Sequence, residues 1–208
     1  MDSYCAFRTT TIETDEDGKP RFCLNHEPLF LRGILDQGYW PESLLTPPTE
    51  EALRADIRAI KELGFNMARK HIKVEAGQWY RMCDEMGMLV WQDMICGGGK
   101  LKTWYSGYKP TLFRSSWGRY RDDIPSHWKN MAADGIAYQK EWLRTTDGVI
   151  KRLRNHPCIV TWVLFNESFG QFNAADATQR VKALDPTRPI DAVSGWYDQQ
   201  CGSYLSVH

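Results

Sequence analysis

A largely apolar run, Cys158-Ile159-Val160-Thr161-Trp162-Val163-Leu164-Phe165, delivers Asn166-Glu167-Ser168 at its end. A carboxyl half-shielded by apolar neighbours has its neutral form favoured, so it can donate a proton near neutral pH, the task of a general acid. The bland alternative is a polar strand terminus that leads into a loop. The tripeptide also fits the N-glycosylation pattern, although the end of a core strand is a poor place for a glycan. Arg69 and His71 are two apart after Asn66-Met67-Ala68 and share one face of a strand, with Lys70 directed elsewhere. They can line a polar pocket; equally, Arg69 can anchor an internal carboxylate and His71 can be a satisfied polar residue. Asp93 closes Trp91-Gln92-Asp93 and can bond a ligand hydroxyl or cap the next turn. Asp36 opens the polar and aromatic stretch Asp36-Gln37-Gly38-Tyr39-Trp40-Pro41. Its aromatics, with Trp196 and Tyr197, suit stacking on sugar rings or plain packing.

These residues need a scaffold, and the hydrophobic pattern supplies one. Polar and apolar residues alternate around Asp17-Gly18, which predicts a hairpin pairing residues 8–14 with 21–24. The run from Leu29 to Leu35 reads as a mostly buried strand. From Thr49 the period becomes helical. Thr49 is the cap, Glu50 and Glu51 sit at the positive end of the dipole, Leu53, Ile57, Ile60 and Leu63 form one stripe, and Gly64 closes it. Next come a strand over 66–72, a helix over 76–86 ending at Gly87, a strand over 88–92 and an irregular insertion to about residue 132. A helix then runs to Arg154 with Ile136, Leu143, Ile150 and Leu153 on its inner face. A strand over 158–165, a helix bearing Ala174, Ala177, Val181 and Leu184, a strand over 190–193 and an apolar piece over 204–208 complete the series.

Such alternation predicts a parallel sheet with helical crossovers, either a doubly wound open sheet or a (β/α)8 TIM barrel. A nucleotide-binding open sheet would want GxGxxG after its first strand, where Gly33-Ile34-Leu35-Asp36 stands, so the barrel is favoured. Gly97-Gly98-Gly99-Lys100 fails as a phosphate loop and reads as a flexible loop. A full barrel takes about 250 residues. This chain has 208 and about six strands, so the α/β barrel reads as incomplete. Barrels of this kind gather reactive groups at the C-terminal ends of their strands, where Arg69, His71, Asp93, Asn166 and Glu167 fall.

Composition removes other classes. Lys and Arg total 26 against 26 Asp and Glu, which leaves no electrostatic case for nucleic acid or an anionic membrane. No apolar run approaches the ~20 residues of a membrane span. The six cysteines form no CxxC and no cluster has metal-ligand spacing, so free thiols, no metal and no cofactor are expected. The opening residues lack the basic start, apolar stretch and cleavage site of a secretory leader.

Several segments together carry a resemblance: Leu31-Arg32-Gly33, the helix from Glu50 to Leu63, Gly64-Phe65-Asn66-Met67-Ala68-Arg69-Lys70-His71-Ile72-Lys73-Val74-Glu75, Trp91-Gln92-Asp93-Met94, Asn155-His156-Pro157 and Phe165-Asn166-Glu167. The chain resembles, from about residue 8 onward, the catalytic barrel domain of glycoside hydrolase family 2, which includes β-galactosidases, β-glucuronidases and β-mannosidases. The resemblance implies that residues 1–28 join a preceding β-sandwich to a partial barrel at 29–208. It implies retaining hydrolysis of β-glycosides by two carboxyls. Glu167 then matches the acid/base, Asn166 the residue that bonds the sugar 2-hydroxyl, Arg69 the arginine that buttresses the nucleophile, and His71 a pocket residue. Asp36, Trp40, Asp93 and Trp196 fall among the substrate contacts, with His208 at the end of a sixth strand. The family nucleophile is a glutamate at the end of strand seven. No glutamate follows Glu167 here, so the chain reads as C-terminally truncated. Two readings stand: a β-glycosidase barrel with a carbohydrate substrate, and a non-catalytic fragment or pseudoenzyme that at most binds carbohydrate. Association of copies through the open barrel edge is a further expectation.

Overall fold

The turn chemistry of the opening hairpin does what its residues dictate. In the computed structural model, which describes residues 4–207, strands β1 (Thr10–Thr14) and β2 (Pro20–Leu24) pair antiparallel with Thr10 opposite Leu24 and Thr14 opposite Pro20. The Asp15 carboxylate accepts from the amides of Asp17 and Lys19 and from Arg21, and Gly18 takes the left-handed φ of +75° that closes the turn. A two-residue strand, β3 (Glu27–Pro28), adds to β2.

Five parallel strands follow in chain order within one sheet: β4 (Gly33–Asp36), β5 (Met67–Lys70), β6 (Leu89–Asp93), β7 (Ile159–Asn166) and β8 (Ile190–Ser194). The crossovers carry helices α1 (Glu50–Glu62), α2 (Gly77–Met86), α3 (Ile136–Leu153) and α4 (Ala174–Leu184). This is the α/β fold of an incomplete TIM barrel behind a hairpin, as the sequence predicts. The strand count is corrected from about six to five among the described residues. Residues 204–207 form no strand, and Leu205 and Val207 are exposed. The chain instead doubles back on the start of β8: the Ser203 amide donates to the Ile190 carbonyl at 2.7 Å and its hydroxyl accepts from the Ile190 amide at 3.1 Å.

The chain divides into two compact units, residues up to Gln92 with Leu153–Thr161, and Asp93–Arg152 with the residues from Trp162 on. In the first, α1 starts where Thr49 Oγ1 accepts from the Ala52 amide at 3.1 Å, and it buries Leu53, Ile57 and Ile60. Leu63, expected on that stripe, is 75% exposed because it is the cap residue from which the chain leaves the helix at Gly64. Helix α2 ends on Gly87 at φ +66° and buries Trp79, Tyr80, Met82 and Cys83. The strand expected over 29–35 begins only at Gly33 and is poorly buried, with Phe30 79% exposed. Two causes act. The Asn66 side chain takes the Arg32 amide and the Phe30 carbonyl, so these groups do not enter the ladder. And among the described residues β4 is paired on one side only, with β5.

In the second unit, all eight residues of β7 belong to a strand buried on both faces, its first three counted with the other unit. The inner face of α3 is displaced from the expected one. Ile150 and Leu153 are buried as expected, but Trp142, Thr146 and Val149 complete the face, while Leu143 is half-buried and Ile136 is 68% exposed. Trp142 sets this rotation by stacking on Phe165, ring centroids 4.6 Å apart, and by meeting Phe172 edge-on. The insertion is also less irregular than expected. It holds short helical turns at Trp104–Tyr108, Lys109–Leu112, Arg114–Ser116 and Pro125–Trp128, and Trp117 and Tyr120 pack on a core of Met131, Trp196 and Tyr197.

Candidate active site

Asp36 is the last residue of β4, and register places it beside Lys70, the last residue of β5. One Asp36 oxygen accepts from Lys70 Nζ at 2.6 Å and the other from the Gly38 amide at 2.8 Å. Lys70 is 1% exposed. It also reaches Glu75 at 3.1 Å and lies 4.2 Å from the centre of the Trp79 ring, so it faces α2, away from the direction that strand alternation gives Arg69. Arg69 and His71 are half-buried. The Gln37 amide nitrogen lies 3.0 Å from His71 Nδ1 and ties the imidazole to the loop after β4. Lys73 Nζ donates to the carbonyls of Gly38 and Leu45 and to Glu75, each at 2.7 Å. It thereby staples the loop that presents Tyr39 and half-buried Trp40, whose backbone bridges to Leu44. A cavity of about 420 Å³ is lined by Asp36, Trp40, Asp56, Lys70, Glu75 and Trp79, and burial pushes the Asp56 carboxyl above its ordinary range. Sequence reading missed this ionic cluster. Its signal was three charges, Lys70, Lys73 and Glu75, packed into six residues at a strand end.

In the second unit Asp93 ends β6 and is 1% exposed, and Asn166 ends β7 and is 3% exposed. Glu167 comes next and is half-buried. Glu167 and Ser168 have φ of +47° and +64°, consecutive left-handed residues without a glycine between them. Each such residue costs about 1–3 kcal/mol and survives only where its surroundings over-determine it, as at functional sites. Here the Glu167 amide donates to the Ser194 carbonyl at 2.9 Å, the Phe169 amide to the Asn166 carbonyl at 2.8 Å, and the Gly170 amide to the Met131 carbonyl at 2.7 Å. Buried Asp122 braces the following segment by accepting from Gln171 Nε2 and from the Ala174 amide at the start of α4. Burial pushes the Asp122 carboxyl up, against those hydrogen bonds.

Trp196 follows β8 and is 8% exposed against Met131 and Tyr197. Tyr197 is fully buried with its hydroxyl donating to the Tyr105 carbonyl at 2.7 Å, so of its two readings packing is the one realised. His208 lies outside the described residues. The glycine run is not the free loop expected: a Cβ on Gly98 would collide with the Ala132 carbonyl, and the Gly99 amide donates to that same oxygen at 2.9 Å. Close approach, not flexibility, requires glycine there.

Residues 17–206 match the TIM barrel domain of glycosyl hydrolases family 2. The chain belongs to that family. Among its family 2 relatives, the β-galactosidase of Vibrio cholerae is 30% identical over 172 residues, 83% of this chain and 14% of that protein. The β-galactosidase of Yersinia pestis is 31% identical over 173 residues, again 83% of this chain and 14% of the relative. The apo structure of Bacteroides uniformis β-glucuronidase 3 is 26% identical with a TM-score of 0.63, covering 89% of this chain and 21% of that one. A Parabacteroides merdae β-glucuronidase with glycerol in its active site shares the fold at a TM-score of 0.68 and 22% identity, over 96% of this chain and 22% of that one. This family 2 chain thus spans about a seventh of the length of the β-galactosidases it matches. The family resemblance read from its motifs is upheld, and it is that of O-glycosyl hydrolases.

Proposed function

We propose that this chain supplies the general acid/base, and part of the sugar-binding surface, of a retaining β-glycosidase. The observation that carries the reading is Glu167. A family 2 barrel strand, buried along its whole length, delivers it at the C-terminal end in a two-residue left-handed turn. In the first step the Glu167 carboxyl gives its proton to the glycosidic oxygen as the bond to the anomeric carbon breaks, and a second carboxylate bonds that carbon. In the second step Glu167, now ionised, takes a proton from the water that attacks the anomeric carbon and releases the second carboxylate. Beside it, Asn166 serves the 2-hydroxyl, Asp93 a further sugar hydroxyl and Trp196 a wall of the sugar site; Arg69, His71 and Trp40 keep the roles that the family resemblance implies. Asp36 accepts from Lys70 and from the Gly38 amide and so holds the strand ends together. The second carboxyl must lie about 5–5.5 Å from the first.

A panel of aryl β-glycosides assayed with a protein that holds this chain together with the second carboxyl, and with its Glu167→Gln variant, tests the reading. Loss of about 10²-fold or more in the variant, the usual contribution of general acid–base catalysis, is the expected result. Equal background rates for both, with sugar binding retained, would establish the carbohydrate-binding alternative.

A further inference from the structure

Two loops of the second unit converge on one phenol. Tyr138, in the first turn of α3, donates its hydroxyl hydrogen to the Gly170 carbonyl at 3.0 Å, and the same oxygen accepts from the Gly97 amide at 3.5 Å. Gly97 lies in the loop after β6 and Gly170 in the loop after β7. Both loops also lean on the segment before α3, through Gly170 to the Met131 carbonyl and Gly99 to the Ala132 carbonyl. Neither loop has room for a side chain at the junction. A Cβ on Gly170 would collide with the Tyr138 hydroxyl and sit 3.2 Å from the Gly97 nitrogen, and one on Gly98 would sit 3.2 Å from the Tyr138 ring. Burial pushes the Tyr138 phenol well above its ordinary range, so it remains a donor at any working pH. The ring itself is held edge-on to Phe172, centroids 6.1 Å apart.

The left-handed backbone at Glu167 and Ser168 requires restraint from outside the turn, and Gly170 is where helix α3 applies it. We propose that Tyr138 is a positioning residue for Glu167: by tying the Gly170 carbonyl to the Gly97 amide, its hydroxyl holds the Glu167-Ser168 turn and with it the direction of the Glu167 carboxyl. The proposal rests on the reading of Glu167 as the acid/base. Tyr138 touches neither substrate nor reacting atoms; it acts through the turn.

Tyr138→Phe removes the hydroxyl and keeps the ring. In the chain itself, NMR of the variant should show shifted or broadened Glu167 and Ser168 resonances. Hydrogen exchange at the Gly170 amide should be faster by about tenfold, the weight of one hydrogen bond. Amides of the hairpin, such as Phe22, should be unchanged. Gly170→Ala, which drives a Cβ into the hydroxyl from the other side, should give the same pattern. Unchanged Glu167, Ser168 and Gly170 signals, or equal changes throughout the chain, would overturn the proposal. Where turnover is measurable, Tyr138→Phe should lower kcat most for aryl glycosides with poor leaving groups, which need the proton from Glu167, with KM little changed. A loss uniform across leaving groups, or one confined to KM, counts against positioning. Should Glu167→Gln itself leave poor leaving groups unaffected, the acid/base reading fails, while the NMR result still judges the clamp.

Discussion

Replacing Ser168 by glycine should stabilise the protein while harming the site. Ser168 is fully buried at φ +64°, and its hydroxyl makes no hydrogen bond with the described residues. A left-handed residue with a Cβ costs roughly 1–2 kcal/mol relative to right-handed backbone, a penalty that glycine does not bear. Against that gain, glycine enlarges the unfolded ensemble and returns about 0.4–1 kcal/mol. Loss of a hydroxyl that is buried without a partner is itself favourable, by an amount of the order of 1 kcal/mol. The net expectation is a stabilisation of about 2 kcal/mol, or a Tm higher by roughly 4–8 °C for a chain of this size. Urea denaturation and thermal melting followed by circular dichroism read it directly. Ser168→Ala separates the terms, because it removes the hydroxyl but keeps the strained Cβ, so its gain should be the smaller. In parallel, glycine frees the turn that aims Glu167, and turnover of poor-leaving-group glycosides should fall although the fold is firmer. A variant less stable by more than about 1 kcal/mol would refute the strain accounting, since it would mean that the serine side chain packs for more than its backbone costs.

Acid stability should run through Asp84. Burial pushes its carboxyl up, but hydrogen bonds from His156, from Cys158 and from Tyr4 outweigh that and hold it below the ordinary range. A lowered folded pKa gives stability that is present above the unfolded value of about 3.9 and is lost as pH falls through the folded value. Asp84→Ala should therefore cost about 3 kcal/mol at pH 7 and flatten the loss of stability below about pH 4, as denaturant titrations at pH 3 and pH 7 would show. On α3, Trp142→Ala should cost roughly 3–5 kcal/mol and Ile136→Ala less than about 0.5 kcal/mol in thermal melts, the reverse of what sequence periodicity alone would assign.

The contrast between Trp142 and Ile136 shows where sequence reading reaches its limit. Signals carried by a residue and its near neighbours were legible. Thr49 capped α1, Gly87 closed α2, Asp17-Gly18 turned the hairpin, and the apolar run before Glu167 became a buried parallel strand. What a residue does through distant partners was not. Leu29 to Arg32 has the composition of a strand, but the Asn66 side chain claims the Arg32 amide and the Phe30 carbonyl. Leu63 fits the α1 stripe by spacing and leaves it by being the cap. The glycines at 97–99 suggest freedom, and only the Ala132 carbonyl across the loop reveals that Gly98 is required for contact. The same division runs through the site. Glu167, Asn166, Asp93 and Arg69 are candidates because strand ends are local features, whereas the tie from Asp36 to Lys70 was hidden because Lys70 sits on the neighbouring strand. Tyr138 had no signal at all: a tyrosine in the first turn of a helix is unremarkable until two loop glycines are found pressed against its hydroxyl. Family motifs thus point to the groups proposed to meet substrate, while groups proposed to aim them come into view only when the backbone they restrain is seen in a conformation it would not adopt alone.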